Sequence, residues 1–216
     1  HRLLPGKLAV SIVDGGAGTM RSLAELEHRI AHSAPLGRAM PMIAPRGALP
    51  LDRMSWTPLL PEFARDDLPA IVWIEDLGGG LVEYPMGRGA PSAALIAQGL
   101  ANLAAVPVEL HDEQLGGTHV VVVADHPFAA EKLLDPATMR DVAARLGATG
   151  AQLLVAIPVR GMLLAIDALP ALIDDARMTG FVRGAERMYQ QASERDRISP
   201  EVFVYAYDRP LGLVGS

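Results

Sequence analysis

The chain contains no cysteine, which excludes a disulfide framework, a thiolate nucleophile and a cysteine-ligated zinc. Lysine is nearly as scarce, with only Lys7 and Lys132 beside seventeen arginines. Long apolar runs are missing too. The most membrane-like stretch, residues 151–173, is interrupted by Pro158, Arg160, Gly161, Asp167 and Pro170. An arginine or aspartate in hydrocarbon costs roughly 3 kcal/mol, so this stretch reads as a hairpin followed by a helix rather than a span. There is no excess of positive charge either. A net charge of −6 argues against generic nucleic-acid binding, which depends on neutralising phosphates. The chain opens at His1 rather than a methionine, and this is compatible with a removed signal peptide upstream.

What is present suits a folded protein. Half of the 216 residues are hydrophobic and 20% are charged, a balance that disfavours disorder. A chain of this size makes one sizeable domain or two small lobes and buries about 70% of its unfolded surface. The pattern divides it into a hairpin-helix segment at 1–34, a proline-rich connection at 35–61 and a main α+β domain at 62–216. The alternative is a single domain throughout.

Within the first segment, residues 7–13 read as a strand and Asp14 to Gly18 as a turn, before a helix that a Ser22/Glu25 capping box opens. The proline-rich connection holds at most one short strand, at 40–44. Residues 70–75 and 81–86 flank Asp76 to Gly80 as a hairpin, and a helix follows over 92–104. Thr118 to Ala124 is so uniformly apolar that it predicts a strand buried on both faces. Asp135-Pro136 is a helix start and Gly147 its stop. A second hairpin spans 152–157 and 162–167, two helices lie at 170–178 and 181–192, and a last hairpin at 202–207 and 211–214. Short hairpins make antiparallel neighbours. The expected fold is therefore α+β, a mixed and largely antiparallel sheet built from hairpins with helices packed on it.

Several residues bear on chemistry. The glycines of residues 14–18 follow a strand and precede a helix, but their spacing fits neither the dinucleotide nor the P-loop pattern, so a plain turn is expected. Arg88, between Gly87 and Gly89 just ahead of a helix, is an anion-binding candidate, because a guanidinium there adjoins unsatisfied amides. Arg160, in the turn of the second hairpin, is another. His28 and His32 lie one turn apart behind Glu25, yet Arg29 occupies the place where a zincin needs its glutamate. His111 and Glu113 have a deaminase-like spacing without the partner cysteines. Asp125 and His126 stand at the end of the apolar strand, where sheets commonly present functional side chains, and the histidine there is a candidate base or ligand. The plainer reading is that the pair forms a turn and caps a helix opening at Pro127. Arg183, Arg187, Arg195 and Arg197 are interleaved with Glu186, Glu194 and Asp196, the pattern of a solvated face, and only Tyr189 offers an aromatic platform. No serine sits in a Gly-x-Ser-x-Gly elbow.

From about Met40 onward the order of segments resembles the YtpQ-like family, bacterial proteins with a domain of unknown function. Met40-Pro41-Met42-Ile43 is similar to the family's short "MPVI" element, and "DHPFAAEKLLD" from Asp125 to its Asp-x-x-x-Ala-Ser-x-x-Leu segment. "LLVAIPVRGMLLAID" from Leu153 is similar to its closing hairpin. The resemblance implies a fold and an intracellular bacterial setting, and it carries no catalytic residues across.

The expected function is a non-catalytic binding or interaction domain of the bacterial cytoplasm, without cofactor or metal. Its partner would be another protein or a small ligand, with a homo-oligomer allowed. It rests on the absence of a catalytic constellation and on a mean hydropathy of +0.23, which suits a partner-covered surface. The alternative is an enzyme or sensor for a small anionic ligand, using Asp125 and His126 with Arg88 or Arg160.

Overall fold

In the computed structural model the described residues are 37–63, 65–78, 81–83, 89–115, 117–148 and 152–214. The segment at 1–34, with its Ser22 capping box and the His28/His32 pair, lies outside them, as does Arg88.

The described residues form two antiparallel sheets with helices against them, an α+β fold. The smaller sheet has β1 (Ala39–Ala44), β2 (Trp56–Pro58), β3 (Ala70–Gly78) and β4 (Leu81–Glu83). Its order is β1-β3-β2, with β4 also on β3. The stretch predicted as an irregular connection thus supplies two strands, not one. Both lie on the outside of β3, where a proline such as Pro41 or Pro58 removes no essential ladder bond. A register of Ala39 on Glu75 through Ala44 on Ala70 joins β1 to β3.

The larger sheet contains β5 (Glu109–Leu115), β6 (Thr118–Ala124), β7 (Leu153–Ala156), β8 (Leu163–Asp167), β9 (Val202–Ala206) and β10 (Arg209–Leu213). Its order is β10-β9-β7-β8-β6-β5. Strand β6 bears out the expectation of burial on both faces, because its side chains alternate between two cores. Val121 and Val123 join Leu153, Val155, Leu163 and Phe203 on one face. Val120 joins Leu154, Leu164, Ile166 and Phe181 on the other.

Among the described residues, four α-helices pack on these sheets: α1 (Ala93–Ala104), α2 (Pro136–Leu146), α3 (Ala168–Ile173) and α4 (Asp175–Gln191). The predicted ends of α2 hold: Asp135 Oδ1 accepts from Ala137 N at 3.1 Å, and Gly147 closes the helix in the left-handed region. Ser92, expected as the first helical residue of α1, is its N-cap instead, with Oγ accepting from Leu95 N at 3.2 Å. The break between the last two helices falls at Asp174, not near residue 180. Asp174 Oδ1 caps Ala176 N and Arg177 N, whereas Gly180 stays inside α4, where a glycine costs only about 1 kcal/mol against alanine. In the final hairpin Tyr207 and Asp208 both take positive φ, 53° and 62°, as a two-residue turn matched to strand twist requires.

Helix α2 and the short 3-10 turn Ala130–Leu134 cover one face of the larger sheet, together with Ile43, Leu59, Leu60 and Leu68 from the smaller unit. Helices α3 and α4 supply Ala168, Ala171, Phe181 and Ala185 to the other face. Leu103 of α1 and Phe128 pack with Met40, Met42, Val72 and Ile74. The segment 125–135 therefore runs where the two sheets meet.

Candidate functional site

Asp125 and His126 make different contacts. Asp125 leaves β6 with a φ of 64°, a conformation that aspartate tolerates better than most residues. Its carboxylate meets His111 Nε2 at 2.5 Å. Strand pairing explains the meeting: β5 and β6 align Glu109 with Ala124 and His111 with Val122. Glu109 and His111 are two apart on a strand and share a face, so Glu109 Oε2 also lies 3.9 Å from the same imidazole nitrogen. All three side chains are exposed or half exposed. Their ligand atoms lie within 4.8 Å of one another, and no other such group occurs among the described residues.

His126 turns the other way. Its Nδ1 accepts the Phe128 N–H at 3.2 Å, and its ring stacks on Phe128 with centroids 5.7 Å apart. Burial holds its imidazole below the usual histidine range; Asp76 pulls against that effect and Lys132 adds to it. The expected turn is there, but residues 127–129 stay a turn and the first helical residues are the 3-10 segment Ala130–Leu134, so no helix opens at Pro127.

Arg160 sits at the tip of the β7–β8 hairpin, next to Gly161, whose φ is 74°. A Cβ on Gly161 would lie 3.3 Å from the His126 carbonyl, so hairpin tip and segment 125–135 are in close contact. Arg160 Nη1 is 3.9 Å from Glu131 Oε1. Glu131 is fully buried. Its Oε1 accepts the Ile43 N–H at 3.0 Å, while Oε2 has no hydrogen-bond partner among the described residues. Burial pushes its carboxyl up to about 7; Arg160 and the hydrogen bond from Ile43 only partly offset the effect.

The next residue is the buried lysine. Lys132 Nζ donates to the Leu103 carbonyl at 2.8 Å and to Asp135 Oδ2 at 2.9 Å. Asp135 Oδ2 also accepts from Thr138 Oγ1 at 2.8 Å. Burial would raise Asp135, but hydrogen bonds from Lys132, Thr138 and Ala137 outweigh it and hold the carboxyl below its ordinary range. One ammonium thereby satisfies carbonyls at the end of α1 and the carboxylate that caps α2. Sequence reasoning assigned no role to Lys132. The available signal was a charged pair, Glu131-Lys132, set among Ala129, Ala130, Leu133 and Leu134.

Other charged residues are engaged locally. Asp112 pairs with His119 at 2.9 Å and with Arg145 at 2.7 Å, so its place beside His111 makes no common site. The hydrogen bond from Arg145, seconded by that with His119, lowers its carboxyl. Arg197 donates to the carbonyls of Gln190 and Ala192 at the end of α4, over the Tyr189 ring, which makes it a helix cap.

Compared with protein-family models, curated proteins and solved structures, the chain matches none.

Proposed function

We propose that the chain is a non-catalytic binding domain of the bacterial cytoplasm, related to the YtpQ-like family and acting on a protein partner or a small ligand. One observation supports this reading above the others. The most deeply buried charges are engaged in holding the scaffold: Glu131 accepts the Ile43 N–H, Lys132 and Asp135 pair with each other and with backbone groups at the ends of α1 and α2, and the Thr138 hydroxyl beside them donates its proton to Asp135. An acyl-transfer or hydrolytic site needs a nucleophile, a base and an orienting group in bonding reach.

A thermal-shift screen with nucleotides, phosphate esters, acidic metabolites and divalent metals tests it, because a ligand at 100 times its Kd stabilises by about 2.7 kcal/mol. Each hit is then incubated with the protein and followed by mass spectrometry. Binding without conversion supports the proposal, whereas steady turnover of any hit replaces it with an enzyme. Light scattering on the eluting protein reports whether the partner is a second copy of the chain.

A second reading, a sensor for a small anion, draws on the contact of Gly161 with the His126 carbonyl, which sets Arg160 beside the 125–135 segment. Its test is stabilisation by a phosphate ester that disappears in Arg160→Gln. If the shift persists in that variant, Arg160 is not the anion's partner.

A further inference from the structure

We propose that Glu109, His111 and Asp125 form a binding site for one divalent transition-metal ion, of the Zn²⁺, Ni²⁺ or Co²⁺ class, at the β5 end of the larger sheet. The donors come from two strands in fixed register. Seven consecutive residue pairs align β5 with β6, so the spacing between Glu109, His111 and the strand exit at Asp125 is set by the ladder. Their ligand atoms already lie within 4.8 Å of one another, close enough for one ion to reach all three with small rotations of the side chains.

The donor types select the ion. Calcium and magnesium favour all-oxygen shells, while an imidazole nitrogen flanked by carboxylates suits the later first-row ions. Charge points the same way. Two carboxylates face one imidazole, and a divalent ion compensates both while binding the imidazole in its neutral form. The exposure of the cluster leaves the remaining coordination positions to water, the mark of an open site rather than a closed structural one.

A hydrogen bond between the His111 imidazole and Asp125, with Glu109 nearby, accounts for the same distances without a metal, and metal titration separates the two accounts. His119 is the internal control. It too contacts a carboxylate, that of Asp112, but Arg145 occupies the same group at 2.7 Å, and a guanidinium repels a cation.

The experiment uses the untagged, chelator-treated chain, titrated with Zn²⁺ by calorimetry and with Co²⁺ by visible absorption. One ion per chain is expected to bind saturably at this site, with ligand-field absorption bands in the visible for cobalt. His111→Ala should weaken binding at least about tenfold, and Glu109→Gln and Asp125→Asn should each weaken it as well. His119→Ala should leave it unchanged. The three ligand positions are on the surface, and circular dichroism of each variant verifies the fold. The proposal is overturned if no saturable binding occurs up to about 1 mM metal. It is equally overturned if His111→Ala binds like the parent, or if His119→Ala loses as much affinity as His111→Ala.

Discussion

Glu131 and Ile43 are 88 positions apart in sequence, yet the buried carboxylate of one accepts the main-chain N–H of the other at 3.0 Å. Among the described residues β1 pairs with β3 alone, so side chains meet backbone groups on its other side. Glu131 covers one of them. Asn102 of α1 covers another by donating from Nδ2 to the Ala39 carbonyl at 2.8 Å. The exposed edge of a strand invites wrong pairing, and these two side chains close it from within.

Stability should fall as pH rises from the acid range toward neutrality. Glu131 has a folded value of about 7 against an ordinary 4.5, so the fold favours its protonated form. That contribution is fully present below the unfolded value and is lost as pH climbs through the folded one, up to about 3 kcal/mol in all. Urea unfolding between pH 5 and pH 8, over roughly that window, should show this slope in the parent. Glu131→Gln, which keeps an acceptor for Ile43, should flatten it and be the more stable protein at the alkaline end. Equal slopes in the two proteins would contradict the assignment.

Lys132→Met should cost about 3–5 kcal/mol, because it strands Asp135 as an uncompensated charge in the interior. Chemical denaturation measures the loss. A double variant that also replaces Asp135 by an apolar residue should recover part of it, since removing both partners is cheaper than removing one. Additive losses would mean that the two residues do not interact.

Asp135 should make an acid-side contribution of the opposite sign. Its folded value lies below the ordinary 3.8, so the stability it supplies is present above that value and disappears as pH falls through the folded one. Asp135→Asn should therefore destabilise the protein at neutral pH and matter progressively less in strong acid, by thermal melting at matched ionic strength.

Gly99→Ala tests the seat of α1. An added Cβ would lie 2.5 Å from Trp73 Cζ3 and 2.9 Å from Cε3, and Trp73 is buried in β3. An indole in that setting cannot simply swing aside. The helix-propensity gain of about 1 kcal/mol should be outweighed by an overpacking cost of roughly 1–3 kcal/mol. A melting temperature equal to or above that of the parent would show that the ring yields.

Much of the fold was legible because its signals are local. Asp135-Pro136 and Gly147 each announce a helix end by their own chemistry, and the run from Thr118 to Ala124 announces a buried strand. That β2 also pairs with β3, making a separate second sheet with β1 and the 70–83 hairpin, was hidden because prolines between 35 and 61 read as irregular chain, whereas strands at a sheet margin accept them. The site was half legible. Asp125 stood out at a strand end, but its sequence neighbour His126 points elsewhere and the real partner, His111, lies 14 positions back across a hairpin. Register, not adjacency, made that contact. Glu131 and Lys132 were hidden by the rule that charges face water.

The ammonium of Lys132 reaches the carbonyl end of α1 and, through Asp135, the amide end of α2. Helix α1 lies against the smaller sheet and α2 against the larger. Neither layer can therefore loosen without unseating the other's helix terminus, and amide hydrogens on both sides of the junction should open together, as a single cooperative unit.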